Sequence, residues 1–133
     1  MRSKFEKQVA TNLHSRGVKY EYEAYQFPYE EPLRKNRARC ADCNGTNLVR
    51  EGWYTPDFYL PRTRLFVETK GRFTAADRRK MEAVMLANPE ERFVMLFMRD
   101  NKIHKRSSTL YSKWCEDRGI EWSVMEPKEE WLQ

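Results

Sequence analysis

The stretch that most constrains the fold is Phe93 to Met98, Phe-Val-Met-Leu-Phe-Met, an apolar run with no polar interruption. A run of strand length without alternation fits a strand buried on both faces, in the middle of a sheet covered by other layers on each side. At 133 residues the chain is the size of one domain, read here as 1–133, and can bury a modest core without staples. No apolar run approaches the ~20 residues that a membrane span needs. The first nine residues alternate charge with apolar groups and hold no signal-type apolar stretch, so a cytoplasmic protein is expected rather than a secreted one.

Start and stop signals place helices around that strand. Ser3 can cap a first helix with Glu6 three residues on, Phe5, Val9 and Leu13 form its apolar stripe, and Gly17 ends it. Lys19 to Tyr25 alternates like a half-buried strand, which Phe27-Pro28-Tyr29 and Pro32 are expected to break. Trp53 to Leu60 reads as a strand, Pro61-Arg62-Thr63 as a turn and Arg64 to Lys70 as a second strand. Thr74 and Asp77 open a helix to about Asn88, with Ala76, Met81, Val84 and Met85 as candidate core positions. A third helix from Ser108 or Thr109 through Arg118, a short strand from Ile120 to Val124 and a helical turn after Pro127 complete the chain. The order α-β-β-β-α-β-α-β predicts an α/β fold with a mixed sheet.

The chemistry-bearing residues flank the predicted hairpin. Tyr54-Thr55-Pro56-Asp57 opens one strand and Glu68-Thr69-Lys70 closes the other. Residues two apart on a strand share a face, so Glu68 and Lys70 project together with the Thr69 carbonyl between them, and the hairpin can bring Asp57 beside Glu68. Two carboxylates and a carbonyl form a hard oxygen site suited to Mg²⁺ or Mn²⁺. A neighbouring ammonium can orient or help deprotonate an attacking water, or offset charge on a phosphate. Each part alone has a plainer reading: Asp57 as a turn residue, Glu68 and Lys70 as a solvated strand face, Glu6 as half of a capping box. Together, Pro-Asp, a short turn, an apolar strand, Glu-x-Lys-Gly and a following helix point to phosphodiester cleavage.

On these residues the chain resembles the phage endonuclease I family of junction-resolving enzymes. The resemblance runs from Phe5-Glu6-Lys7 through Leu13, Ser15, Gly17-Val18-Lys19-Tyr20 and Glu21-Tyr22-Glu23. It continues in Pro28-Tyr29, Tyr54-Thr55-Pro56-Asp57-Phe58 with Leu60-Pro61, Phe66-Val67-Glu68-Thr69-Lys70-Gly71, Asp77-Arg78 with Lys80, Cys115-Glu116 and Gly119-Ile120. It implies a restriction-endonuclease-like PD-(D/E)xK fold and hydrolysis of DNA at four-way (Holliday) and other branched junctions, leaving 5′-phosphate and 3′-hydroxyl ends. Asp57, Glu68 and Thr69 would bind the divalent ions, two per site, with Glu6 as a further metal-associated carboxylate and Lys70 as the catalytic lysine. It also implies an intertwined homodimer in which Glu6 completes the site of the partner subunit, and a host-cell cytoplasm as the setting. A two-fold enzyme suits two symmetric cuts in one junction.

The departure from that family lies between Pro32 and Tyr54, where a shorter connection is expected. Residues 33–53 read as a basic, irregular insertion with Arg34, Lys35, Arg37 and Arg39 and the pair Cys40 and Cys43. A C-x₂-C pair is half of a structural Zn²⁺ site. Cys115, His104 and His14, or the same pair from a second subunit, are candidates for the rest; two ordinary reduced cysteines in a loop are the plainer alternative. The chain holds 3 cysteines, which does not suggest a disulfide framework. Lys and Arg number 25 against 20 Asp and Glu, a net charge of +5 that suits a polyanion partner. The basic residues cluster as Arg34–Arg39, as Arg72 with Arg78, Arg79 and Lys80, and as Lys102, Lys105 and Arg106, candidate phosphate contacts that position DNA without reading sequence. Two competing readings are a sequence-reading nicking or restriction-like nuclease and a non-catalytic, zinc-containing DNA-binding module.

Overall fold

The computed structural model describes residues 1–32 and 49–133. Its core is a five-stranded mixed sheet of order β1-β4-β5-β6-β7, with β1 Glu21–Tyr22, β4 Phe58–Leu60, β5 Leu65–Lys70, β6 Phe93–Phe97 and β7 Trp122–Val124. The first three strands pair antiparallel, whereas β5, β6 and β7 run parallel. Helices α1 (Lys4–Ser15), α2 (Ala75–Ala87), α3 (Tyr111–Asp117) and α4 (Glu129–Leu132) flank it. Among the described residues no helix is long and apolar enough to cross a membrane.

The apolar run of β6 is central as expected, and all five of its residues are buried. Its side chains alternate between two cores. Val94 and Leu96 join Phe58, Leu60, Leu65 and Val67 against Phe5, Val9 and Leu13 of α1 and Trp131 of α4. Phe93, Met95 and Phe97 join Phe66 against Met81 and Val84 of α2 and Tyr111, Trp114 and Cys115 of α3. A continuous apolar sequence is therefore two half-sequences, each serving one face.

The helix signals largely hold. Ser3 caps α1 by accepting from the Glu6 amide at 3.0 Å, and Gly17 follows the helix with φ +68°, a conformation glycine adopts freely. Thr74 and Asp77 form a complete capping box on α2. Met81 and Val84 are buried there as expected, but Ala76 is exposed and Ala83 takes the inner position instead. For α3 the cap is supplied from a distance, the Asp100 carboxylate accepting from the Ser112 amide at 2.9 Å.

Two strand expectations need correction. The strand expected over Lys19 to Tyr25 is short, only Glu21–Tyr22, and ends before Phe27; Phe27 to Pro32 is itself a strand, β2, paired antiparallel with β3 (Val49–Tyr54) in a separate two-stranded sheet. Proline lacks an N–H but is tolerated where that side of the strand makes no ladder, and among the described strands β2 pairs only with β3; Pro28 and Pro32 are both exposed. The predicted strand from Trp53 to Leu60 is likewise two strands, β3 and β4, separated at Thr55-Pro56-Asp57. The expected irregular insertion thus gives way to β3 from Val49 onward, while residues 33–48 lie outside the described residues. Gly52 in β3 is fixed by its partner: a Cβ there would stand 2.7 Å from the Tyr29 ring.

Candidate active site

The β4–β5 hairpin creates the site. Phe58 pairs with Val67 across it, so Asp57, one residue before β4, falls next to Glu68 and Thr69. Asp57 Oδ2 accepts from the Thr69 amide at 2.9 Å and from the Thr69 hydroxyl at 2.7 Å, which fixes the carboxylate on the end of β5. Thr69 was expected to contribute through its carbonyl; its amide and hydroxyl hold Asp57.

Glu68 and Lys70 share a face as strand alternation requires. Lys70 Nζ lies 3.4 Å from Glu68 Oε2, while Glu68 Oε1 accepts from the Tyr54 hydroxyl at 2.8 Å. The second partner of Lys70 is Asp77 Oδ1, also at 3.4 Å. The sequence identified Asp77 only as a helix cap; it does both, because its other oxygen accepts from the Thr74 amide at 2.9 Å.

A second acidic group adjoins the first. Glu6, on the buried face of α1, turns its carboxylate to the Tyr22 hydroxyl at 2.6 Å, and the reciprocal half of a capping box with Ser3 is not formed. Carboxylate oxygens of Glu6, Glu23 and Asp57 all lie within 4.8 Å of one another, within a single chain. Glu23 was missed as a candidate. It follows β1 with φ +47°, and its amide donates to the Asp57 carbonyl at 3.0 Å, tying the turn after β1 to the site.

The electrostatics follow from crowding and burial. Burial, then the Asp57 charge, raises Glu68 to about 7 from 4.5, more than Lys70 and the Tyr54 hydrogen bond can offset. Burial also raises Asp57 despite its two bonds from Thr69, with Glu6 adding to the rise. Burial pulls Lys70 down, but Glu68 and Asp77 outweigh it, so the net shift is upward and the ammonium keeps its proton at neutral pH. Burial works to raise Asp77, yet the Thr74 amide and Lys70 hold it below its ordinary value. Several carboxylates held close with too little positive charge among them form a hard-oxygen set that a divalent cation would relieve. The donors present fit Mg²⁺ or Mn²⁺: Asp57 with Glu6 and Glu23 in one cluster, and Glu68 near enough to feel the Asp57 charge.

The basic candidates divide. Arg78 Nη1 donates to the Phe73 carbonyl at 2.7 Å and the Ile103 carbonyl at 3.4 Å, Arg79 pairs with buried Glu31 at 3.5 Å, and Lys80 lies over the Tyr54 and Tyr29 rings. All three are engaged within the chain. Arg72, Lys102, Lys105 and Arg106 are exposed. Arg34, Lys35, Arg37, Arg39, Cys40 and Cys43 lie outside the described residues, and with them the zinc expectation. Cys115 is fully buried in the α2–α3 core, its thiol pushed up to about 12 by burial, while His14 and His104 are exposed.

Residues 1–133 match the family described as phage endonuclease I. The chain belongs to that family. It is 33% identical over 138 residues to Endodeoxyribonuclease 1 of Enterobacteria phage T3, covering 97% of this chain and 80% of that protein. It is 33% identical over 133 residues to Endonuclease I of Escherichia phage T7, covering 99% and 78%. The family resemblance carried by Glu6, Asp57, Glu68 and Lys70 in the sequence therefore extends over the whole chain.

Proposed function

We propose that the chain is a divalent-cation-dependent DNA endonuclease of the PD-(D/E)xK type that hydrolyses phosphodiester bonds in four-way and other branched junctions, acting as a homodimer. The observation that carries this reading is the convergence of Asp57, Glu68 and Lys70 at one end of the β4–β5 hairpin, with Glu6 and Glu23 closing on Asp57. Membership of a family of phage endonucleases, with relatives named for endonuclease and endodeoxyribonuclease activity, supports DNA as the substrate.

Asp57, Glu68, Glu6 and Glu23 would hold the cations, and Thr69 and Tyr54 fix two of those carboxylates in place. Cations bound there would supply charge stabilisation at the phosphate and a lowered pKa for the attacking water. The Lys70 ammonium stays protonated between Glu68 and Asp77. Its part is to donate to the phosphate and offset the charge that builds as water attacks, or to orient that water. In hydrolysis the water oxygen bonds to phosphorus as the P–O3′ bond breaks, leaving a 5′-phosphate and a 3′-hydroxyl. Selection of junctions rests on DNA shape and deformability, with two sites in a two-fold dimer facing two symmetric strands. In such a dimer the α1-bearing segment, with Glu6, can be contributed by either subunit.

The test is incubation with a synthetic four-way junction and with linear duplexes of the same sequences, each with Mg²⁺ and with EDTA. The proposal requires cutting of the junction in Mg²⁺, none in EDTA and little cutting of the duplexes. Equal cutting of duplex and junction would remove the junction reading, and cutting in EDTA would remove the metal reading.

A further inference from the structure

Lys70, the last residue of β5, pairs with Phe97, the last of β6, so the segments that follow both strands leave the sheet from one edge, the edge that carries the candidate site. Those segments are fastened to each other. The Met98 amide donates to the Lys70 carbonyl at 3.0 Å, and the Tyr111 hydroxyl accepts from the Phe73 amide at 3.3 Å. Arg78 Nη1 reaches the carbonyls of both Phe73 and Ile103, and Lys102 and Leu110 form a bridge that closes the second segment on itself. The resulting face is one-signed. Arg72, Arg99, Lys102, His104, Lys105 and Arg106 are exposed on it, and none of its Lys and Arg residues has a carboxylate partner among the described residues. The one acid between Met98 and Leu110 is Asp100, and its carboxylate is taken up by the α3 cap.

We infer that this braced face, Arg72 with Arg99 to Arg106, is the seat for the phosphodiester backbone of one arm of the substrate, and that Arg78 serves as its internal brace instead of as a DNA contact. The inference rests on the nuclease reading for the choice of a nucleic acid as the polyanion. Three features favour a DNA backbone over a compact anion. The charges are spread along a segment rather than converging on a point; they are exposed Lys and Arg side chains suited to phosphate contacts; and the segment that carries them starts beside Lys70, where the scissile phosphate would arrive. Among the described residues Lys102, Lys105 and Arg106 have no carboxylate partner, as Arg72 has none, whereas Arg78, Arg79 and Lys80 are engaged inside the chain.

The experiment measures binding of the full chain to a synthetic four-way junction in EDTA over a range of salt, with cleavage in Mg²⁺ measured separately at saturating protein. The triple variant Lys102→Glu/Lys105→Glu/Arg106→Glu is compared with Arg62→Glu, which lies in the β4–β5 turn at the opposite edge of the sheet. The neutral triple variant with Gln at the same positions guards against misfolding by charge reversal. The expected result is at least ~10-fold weaker binding for both triples, with a plot of log K against log salt shallower by about 3, since each lost phosphate contact removes about 0.9. Arg62→Glu should bind the junction and cleave it like the unaltered protein. Unchanged affinity and slope in both triples overturn the inference. So does failure of the unaltered chain to bind DNA, which would turn the search toward an acidic protein partner. Binding with the predicted salt slope but no cleavage in Mg²⁺ would leave this face standing and remove the nuclease reading.

Discussion

Lys70 and Asp77 are joined by an ion pair of 3.4 Å that links the end of β5 to the first turn of α2. Because Asp77 also closes the capping box on Thr74, the direction in which the Lys70 ammonium points is set by the start of a helix.

Asp77→Asn should keep the cap, since an amide oxygen can still accept from the Thr74 amide, but it removes the charge facing Lys70. Cleavage at saturating substrate should fall about 10-fold, less than the ~10²-fold or more that removing a positioned catalytic group costs, because Lys70 itself remains, with junction affinity unchanged. Thr74→Ala should do the reverse, costing about 1 kcal/mol of stability with a smaller effect on rate. Single-turnover kinetics and thermal melts separate the two; a full rate for Asp77→Asn would show that the ion pair does not orient Lys70.

The acidic crowding has a signature in stability. Glu68 is raised to about 7 in the folded chain from 4.5, so between those values the folded state holds more protons than the unfolded one. Stability of the metal-free protein must then fall as pH rises through that window, by on the order of 3 kcal/mol from this group, and the upward shift of Asp57 acts in the same sense. Melting in EDTA should occur at lower temperature at pH 8 than at pH 5, Mg²⁺ should restore stability at pH 8, and Glu68→Gln should flatten the dependence. A melting temperature that climbs from pH 5 to pH 8 in EDTA would contradict this.

Tyr54 is buried and its only polar atom bonds to Glu68. Tyr54→Phe keeps the ring packed and removes that hydrogen bond, so about 1 kcal/mol of stability should be lost. The half-saturating Mg²⁺ concentration for cleavage should rise several-fold, because the carboxylate is no longer held. An unaltered Mg²⁺ dependence would make Tyr54 a core residue alone.

Glu23→Gln probes the other side of Asp57. It preserves the backbone bond to the Asp57 carbonyl and neutralises one of three clustered carboxylates. Calorimetric titration with Mn²⁺ should show binding weaker by about tenfold or more, on the scale of ~1.5 kcal/mol for losing one interaction with a charged group. Identical titrations would restrict the cation-holding set to Glu6, Asp57 and Glu68.

Much of this arrangement was legible in the chain. Phe93 to Phe97 announced a central strand because burial on both faces requires no alternation, and Thr74 with Asp77 announced a helix start because a capping box is a local structure. Asp57 beside Glu68 followed from a short turn between two strands. Pro28 and Pro32 misled, since the cost of a proline in a strand depends on which edge is paired, and that is decided by β3, seventeen or more residues away. Glu23, Tyr54 and the second role of Asp77 were illegible for a related reason. Each acts on a residue that the sheet, not the local sequence, brings near.

The most direct measurement is the single-turnover cleavage rate of a preformed complex with a four-way junction in Mg²⁺, for the unaltered chain, Asp57→Ala and Lys70→Ala. The account predicts that both variants still bind the junction and cut it at least ~10²-fold more slowly. Undiminished cutting by both variants would contradict it.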